Sequence, residues 1–435
     1  MSGEGRGKTR WVYSTLPISL ATGPLGTLVT LYLIQLNGIT LGTIYASLAA
    51  AIYNGVSIPA AIFWGVATDR IHRRRILVVG SYVLVGVTVI SFLFDQTTGG
   101  TVARYAVVSF VSVASATPLN LLIMETESKS RWAEAFAKLS MVSGVGTVAG
   151  LLLGTAWTEA LPAQLTLLFL PLGAFGLASA GLAALMITEP KFIFEEENVA
   201  LRKQSFFSRL LANPIFFLGA PRLSDFRRVF RGLRSSLTSY LPLFYITTIM
   251  FYFSGGLFNT VFVPALQRHL LSDDQVFVVI LLGTLVQTLA FQFAGRFISA
   301  RPLAATSIQG LVLRGACYVV LGIAAFLFAG GPSFLASAIL LYPLASGVAF
   351  AFYYISSNTM MFNSVHGRNM GSSLGVYSAV VGVAAMIGAL LSGFVSIAAG
   401  FYTTFVFAGL ILFATAAIVA RLPQSQLTGP SATGQ

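Results

Sequence analysis

Long apolar runs, each about the length of one bilayer crossing and separated by short polar breaks, recur from Pro17 to Ala420. That alternation constrains the fold more than any motif does. A helix needs about 20 apolar residues to cross a hydrocarbon core ~30 Å thick, and the core holds no water to satisfy a backbone left outside a helix or a closed barrel. Charged residues are only 9% of the 435-residue chain and hydrophobic residues 56%, against roughly 25% charged in soluble proteins. The expectation is an all-α integral membrane protein.

Spans are read near Pro17 to Leu36, Gly42 to Trp64, Ile76 to Phe94, Val102 to Met124, Ala135 to Trp157 and Leu165 to Ile187. After a polar segment come Leu241 to Val263, Val276 to Phe297, Ile308 to Phe328, Phe334 to Met361, Leu374 to Ile397 and Thr403 to Ala420. Twelve transmembrane helices would thus form two six-helix bundles. An internal repeat supports the division: Ser130-Arg131 through Ser143-Gly144 to Gly150 runs parallel to Gly367-Arg368 through Val381-Gly382 to Gly388. Gly65 before a basic loop is likewise echoed by Gly295 before Arg296 and Arg301. The bundles are therefore expected to be pseudo-symmetric, a common transporter design in which repeated halves rock about a central site. The domains read as an N-terminal bundle over residues 1–188, a linker over 189–240, a C-terminal bundle over 241–421 and a tail over 422–435 that is expected to be disordered and cytoplasmic.

The formal charge of +12 follows the loops, where positive residues fix orientation. With the N-terminus inside, Arg6, Lys8, Arg10, the Arg70 to Arg75 cluster, Lys129, Arg131, Arg296, Arg301, Arg368 and Arg421 all fall on the cytoplasmic side, and Arg104 and Arg268 outside. Both termini are therefore expected in the cytoplasm of a multi-pass cell-membrane protein. No soluble domain presents a basic groove, which argues against nucleic acid as a partner. In the linker, Leu223, Phe226, Phe230, Leu233 and Leu237 recur at helical spacing with Arg227, Arg228, Arg231 and Arg234 off that stripe. This predicts a basic amphipathic helix on the anionic inner leaflet that could also pack on the spans above it. The first apolar run is too long for a signal-peptide core and reads as a retained span. Cys317 is the only cysteine, so neither an intramolecular disulfide nor a multi-cysteine metal site can form. No cofactor or metal is called for, and a monomer is the working expectation.

The segment Gly65-Val-Ala-Thr-Asp69-Arg70-Ile-His72-Arg73-Arg74-Arg75 resembles the signature of the major facilitator superfamily between its second and third helices. Gly65, Asp69, Arg70, Arg73 and Arg74 match, while Ala67 stands in place of the usual leucine and His72 in place of a second glycine. The resemblance implies a gating motif in which Asp69 meets the start of helix eleven, near Gly371 and Ser372, and the arginines latch the cytoplasmic side. A carboxylate against a helix N-terminus gains about 0.3 to 1 kcal/mol, up to ~2 when partly buried. Gly65 would let two backbones approach closely.

The resemblance also implies that helices one, four, seven and ten line a central cavity. The matching spans offer Thr22, Tyr32, Gln35, Ser112, Ser115, Asn120, Tyr252, Asn259, Tyr353, Tyr354 and Asn358 as candidate substrate contacts. Asn259, Tyr353 and Asn358 stand out because their spans also carry Gly255, Gly256 and Gly347. Gly144, Gly146, Gly150 and Gly154 on the fifth span read as packing residues. Lys138, one turn after Glu134, reads as half of an interfacial ion pair. No aspartate or glutamate falls near the middle of a span, which removes the usual proton relay of pumps and cation exporters. Arg314 is the exception among charges. It reads either as a side chain snorkelling to the inner interface or as a binding point for an anionic group. His72, His269 and His366 fall in loops, so an intramembrane enzyme is not expected. The reading is a secondary transporter for a small neutral or amphiphilic solute working by alternating access, inclined to export. The alternative is a non-transporting sensor or scaffold on the same fold.

Overall fold

The computed structural model describes residues 10–71, 73–94, 96–127, 132–188, 241–269, 271–299, 302–328, 331–364 and 370–421. Every element among the described residues is helical. After a short 3₁₀ turn at Arg10–Ser14 come α1 (Thr15–Thr22), α2 (Leu25–Arg70), α3 (Arg74–Ser91), α4 (Thr98–Thr126), α5 (Trp132–Ala160) and, after a 3₁₀ turn at Leu165–Leu168, α6 (Phe169–Met186). The second set is α7 (Leu241–Arg268), α8 (Asp273–Ser299), α9 (Leu303–Leu327), α10 (Pro332–Tyr342), a π-helical stretch at Pro343–Ala349, α11 (Phe350–Ser364), α12 (Met370–Ala399) and α13 (Phe401–Val419). The linker at 189–240, with its expected amphipathic helix, and the tail at 422–435 lie outside the described residues.

Among the described residues, eleven helical stretches are long and apolar enough to cross a membrane. The first, Arg10–Gly65, has 56 residues, about 84 Å of helix at ~1.5 Å per residue and more than twice the thickness of a hydrocarbon core. It is broken at Gly38, whose φ of 71° and ψ of 172° lie where only glycine is comfortable. Gly38 sits inside the polar break expected between Leu36 and Gly42.

Helix pairing follows one scheme in each set. In the first, α3 packs on α6 and α4, α1 on α5 and α6, and α2 on α4. In the second, α9 packs on α13 and α11, α7 on α12 and α13, and α8 on the π stretch and α11. The principal contacts between the sets are α2 with α12 and α5 with α8, joined by α2 with α7.

Close backbone approach explains where the glycines fall. A Cβ on Gly150 would stand 2.2 Å from the Leu20 carbonyl oxygen of α1, and one on Gly388 would stand 2.3 Å from that of Phe253 in α7. Gly144 and Gly154 instead abut Thr288 and Phe277 of α8, while Gly382 and Gly393 abut Ile58 and Ser47 of α2. Each glycine helix therefore clamps a helix of its own set, α5 through Gly146 and Gly150 and α12 through Gly388, and abuts a helix of the other set with further glycines. Ser47 and Ser392 hydroxyls, 3.2 Å apart, form a hydrogen bond across that second interface.

One expectation is corrected. The segment read as a loop after the second span is mostly helix: Gly65 through Arg70 complete α2, and α3 starts at Arg74. Among the described residues, the tight glycine contacts of α2 with the other set lie farther along it, at Ser47 and Ile58.

Candidate functional site

Arg314 lies on α9, eleven residues after Leu303, or about 16 Å along the helix at ~1.5 Å per residue. The helix α9 begins five residues before the expected Ile308, and the Arg314 side chain is 3% exposed. Its Nε donates to the Tyr318 hydroxyl at 2.7 Å, one turn on along the same helix. The guanidinium also lies over three rings, at 4.9 Å from Phe251, 5.3 Å from Tyr318 and 5.2 Å from Phe350. Nη1 is buried without a hydrogen-bond partner, and no carboxylate among the described residues pairs with it. Burying an unpaired ion costs several kcal/mol, while each cation–π contact returns roughly 0.5 to 2 kcal/mol depending on desolvation. Three rings offset much of that cost and leave the charge available.

The rings arrive from three helices. Phe251 is on α7, Tyr318 on α9, and Phe350 opens α11 directly after the π stretch. A π turn widens the helix and is frequent at functional sites. Here Pro343 withholds a backbone N–H, and Gly347 admits Val286 and Gln287 of α8. Tyr353 stacks on the Phe251 ring with centroids 3.8 Å apart. Tyr354, 39% exposed, stacks on Phe350 at 5.4 Å. The Tyr353 hydroxyl faces Thr247 and Thr248, and that of Tyr377 faces Ser357 and Tyr252, yet neither buried hydroxyl completes a well-formed hydrogen bond. Asn259 is exposed and Asn358 half-buried. A Cβ on Gly255 would meet Arg314 Nη2 and Asn259 Nδ2, each at 3.8 Å, so Arg314 and Asn259 flank one point on α7.

The first set contains a cavity of about 280 Å³ between α1, α3, α4 and α5. Thr15, Ser19 and Thr22 line it from α1, Ser81 and Tyr82 from α3, Ser112, Ser115 and Asn120 from α4, and Ser143 from α5. Thr22 donates to the Ile18 carbonyl at 2.9 Å, Ser112 to that of Ser109 at 3.1 Å and Ser115 to that of Ser112 at 3.0 Å. Each hydroxyl thereby spends its proton within its own helix and keeps lone pairs to accept from a ligand. The Tyr82 hydroxyl, buried without a partner, is an uncommitted donor.

Four expected contacts of the first set, Thr22, Ser112, Ser115 and Asn120, thus share one cavity. Tyr32 and Gln35 do not join them. Tyr32 is 2% exposed and sits edge-on to Phe169 with centroids 6.0 Å apart, whereas Gln35 is exposed three residues before the Gly38 break. Ser81 and Tyr82 belong to α3, outside the four spans implied by the resemblance, and nothing in the sequence marked them. Tyr318 was within reach of sequence reasoning, since a tyrosine one turn from a lone arginine is a natural partner; Phe251 and Phe350 carried no such signal.

Around the gating motif, Arg73 is exposed and Arg74 buried. Arg74 Nη1 donates to the Thr68 carbonyl at 2.5 Å, serving one of the terminal carbonyls that α2 cannot satisfy itself. The side chains of Asp69 and Arg70, and those at the start of α12 near Gly371 and Ser372, lie outside the described residues. Lys138 Nζ stands 5.0 Å above the Tyr13 ring; the side chain of Glu134 is also outside the described residues.

Apolar helices of membrane-spanning length, paired in this way around polar interior clusters, define a polytopic membrane protein. The Major Facilitator Superfamily model matches residues 13–248, more than half of the chain, and the protein belongs to that superfamily. No curated protein sequence matches significantly. Among solved structures, a POT family transporter in complex with 5-aminolevulinic acid is similar at 14% identity and a TM-score of 0.73, over 98% of each chain. A mutant of the nucleoside transporter NupG is similar at 14% identity and a TM-score of 0.67, covering 95% of this chain and 99% of its own. The human organic anion transporter MFSD10 is similar at 13% identity and a TM-score of 0.60, covering 96% of this chain and 100% of its own.

Proposed function

We propose that the protein is a secondary transporter of the cell membrane that moves a small amphiphilic solute by alternating access between two pseudo-symmetric bundles of six helices. Dividing Arg10–Gly65 at Gly38 turns eleven membrane-length stretches into twelve crossings. With the positive loops inside, both termini are cytoplasmic, the bundles occupy residues 1–188 and 241–421, and the linker between them lies against anionic lipid.

The observation that carries this reading is the character of the interface between the sets. Glycines without room for a side chain lie in it at Gly144, Gly154, Gly382 and Gly393, and the Ser47–Ser392 pair bonds across it. Small, uncharged contacts of this kind let two rigid bodies rock without breaking buried ion pairs. The hydroxyl-lined cavity of one set and the arginine–tyrosine cluster of the other supply polar groups for a solute, and the aromatic rings supply apolar surface. Absence of a mid-span carboxylate from the sequence removes the commonest proton relay and, with the aromatic lining, inclines the reading to export.

Spin labels test the motion. With Cys317 replaced by serine, one labelled pair at Leu41 and Ile397 and another at Ile76 and Phe293 should each show two distance populations, and the long population of one should accompany the short population of the other. Exchange assays in proteoliposomes with labelled aromatic acids, amines and amides should give saturable flux for at least one class. A single fixed distance at both pairs together with no flux would refute the proposal and favour a sensor or scaffold.

A further inference from the structure

The geometry points to Arg314 as the recognition point for an anionic headgroup on the solute, which narrows the solute to a small organic acid with an apolar body. This rests on the transporter reading above but concerns what the second bundle binds. Three observations converge on it.

First, the guanidinium is buried near the middle of α9 with Nη1 unsatisfied. An arginine that only held the fold together would be expected to spend its donors on backbone carbonyls or a carboxylate; this one spends Nε on Tyr318 and faces rings with the rest. Rings hold a guanidinium in place from its faces and leave its in-plane N–H edge, the part that binds a carboxylate in a two-pronged fashion, uncommitted.

Second, the polar groups nearby are donors or can act as donors. Asn259 Nδ2 flanks the same point on α7 as Arg314 Nη2, and Tyr353, whose buried hydroxyl completes no well-formed hydrogen bond, stacks on the Phe251 ring that the guanidinium overlies. A cationic solute would meet an arginine and, among the described residues, no carboxylate. An anionic one would meet a positive charge and the Asn259 amide, with the half-buried Phe350 and the exposed Tyr354 beside them to meet its apolar part.

Third, the Gly255 backbone lies directly beside Arg314 and Asn259. Its missing side chain leaves room at that point. An alanine there would be in ordinary contact, whereas a leucine would occupy the space an anion needs.

Purified protein in phosphatidylcholine nanodiscs provides the test, with benzoate, octanoate and phenyl phosphate as probes and benzamide and octanamide as neutral counterparts. At least one acid should raise the melting temperature saturably, at concentrations tenfold or more below its neutral counterpart. Arg314→Lys should weaken that effect at least tenfold and Arg314→Gln should abolish it; should the glutamine variant not fold, the lysine variant decides. Gly255→Leu should also abolish the effect, and Gly255→Ala should keep it. Equal response to acids and amides, or an undiminished acid response in the lysine or glutamine variant, would overturn the inference. So would stabilisation through Arg314 that appears only when phosphatidylglycerol is added to the discs, since the occupant would then be a lipid. Arg314-dependent binding without flux in proteoliposomes would leave this inference standing and count against transport. Flux that ignores Arg314 would do the reverse.

Discussion

Replacing Gly150 by alanine isolates the packing argument in a single methyl group. The new Cβ would fall 2.2 Å from the Leu20 carbonyl oxygen, 2.9 Å from Pro24 Cδ and 3.0 Å from the Leu20 carbonyl carbon. Ordinary contact begins near 3.4 Å, so α1 and α5 must part by about an ångström against backbone that cannot rotate away. Overpacking of this kind costs about 1 to 3 kcal/mol, and the gain of about 0.8 to 1 kcal/mol from replacing a helical glycine by alanine offsets only part of it. Gly388→Ala should behave alike, because its Cβ would stand 2.3 Å from the Phe253 carbonyl oxygen of α7. Gly181→Ala is the control: it lies inside α6 with nothing within 4 Å, so only the helical gain applies. Thermal unfolding in nanodiscs should show both clamp variants melting below the parent, by about 2 to 4 °C per kcal/mol if each bundle unfolds as a unit of some 200 residues, with Gly181→Ala unchanged or higher. Clamp variants as stable as the control would refute the claim that these glycines set the helix spacing.

Ser47→Cys with Ser392→Cys, in a Cys317→Ser background, should form a disulfide readily, because the two hydroxyl oxygens are 3.2 Å apart; it should stop flux until reduced, and undiminished flux in the oxidised protein would exclude movement at that interface. Arg74→Met should lower the melting temperature, since it strips the Thr68 carbonyl of its donor at a cost of about 1 to 3 kcal/mol, and Arg74→Lys should restore part of it. Tyr82→Phe should leave stability unchanged or slightly raised, as the hydroxyl it removes has no partner, while weakening binding of any solute that enters the hydroxyl-lined cavity. Asp69→Asn should leave the protein in the membrane and impair transport, and unchanged flux kinetics would remove Asp69 from the gate.

Much of this molecule could be read one residue at a time. Apolar runs announce membrane helices because the cost of exposing polar backbone to hydrocarbon is local, and a stretch of about 20 residues contains the whole argument. The polar break around Gly38 was legible for the same reason, as were the helix-end positions of the carboxylates. The repeat of Gly144 and Gly150 in Gly382 and Gly388 was visible as spacing, and so was the packing role of the glycines on the fifth span. What each glycine packs against was not, because its partner lies on a helix distant in sequence.

Arg314 shows where local reading ends. Sequence alone marked it as the one charge inside a span, a turn or two from the cytoplasmic end, and left snorkelling and anion binding both open, since its depth depends on where α9 begins and its fate on what surrounds it. Tertiary structure supplied the surroundings by starting α9 at Leu303 and by gathering Phe251 from α7 and Phe350 from α11 over the guanidinium. Hydropathy is a property of a segment, so sequence determined that this chain spans a membrane and keeps carboxylates out of its interior. Burial of a charge is a property of neighbours, and only the packed bundle determined that the arginine is held among rings, with no carboxylate beside it among the described residues.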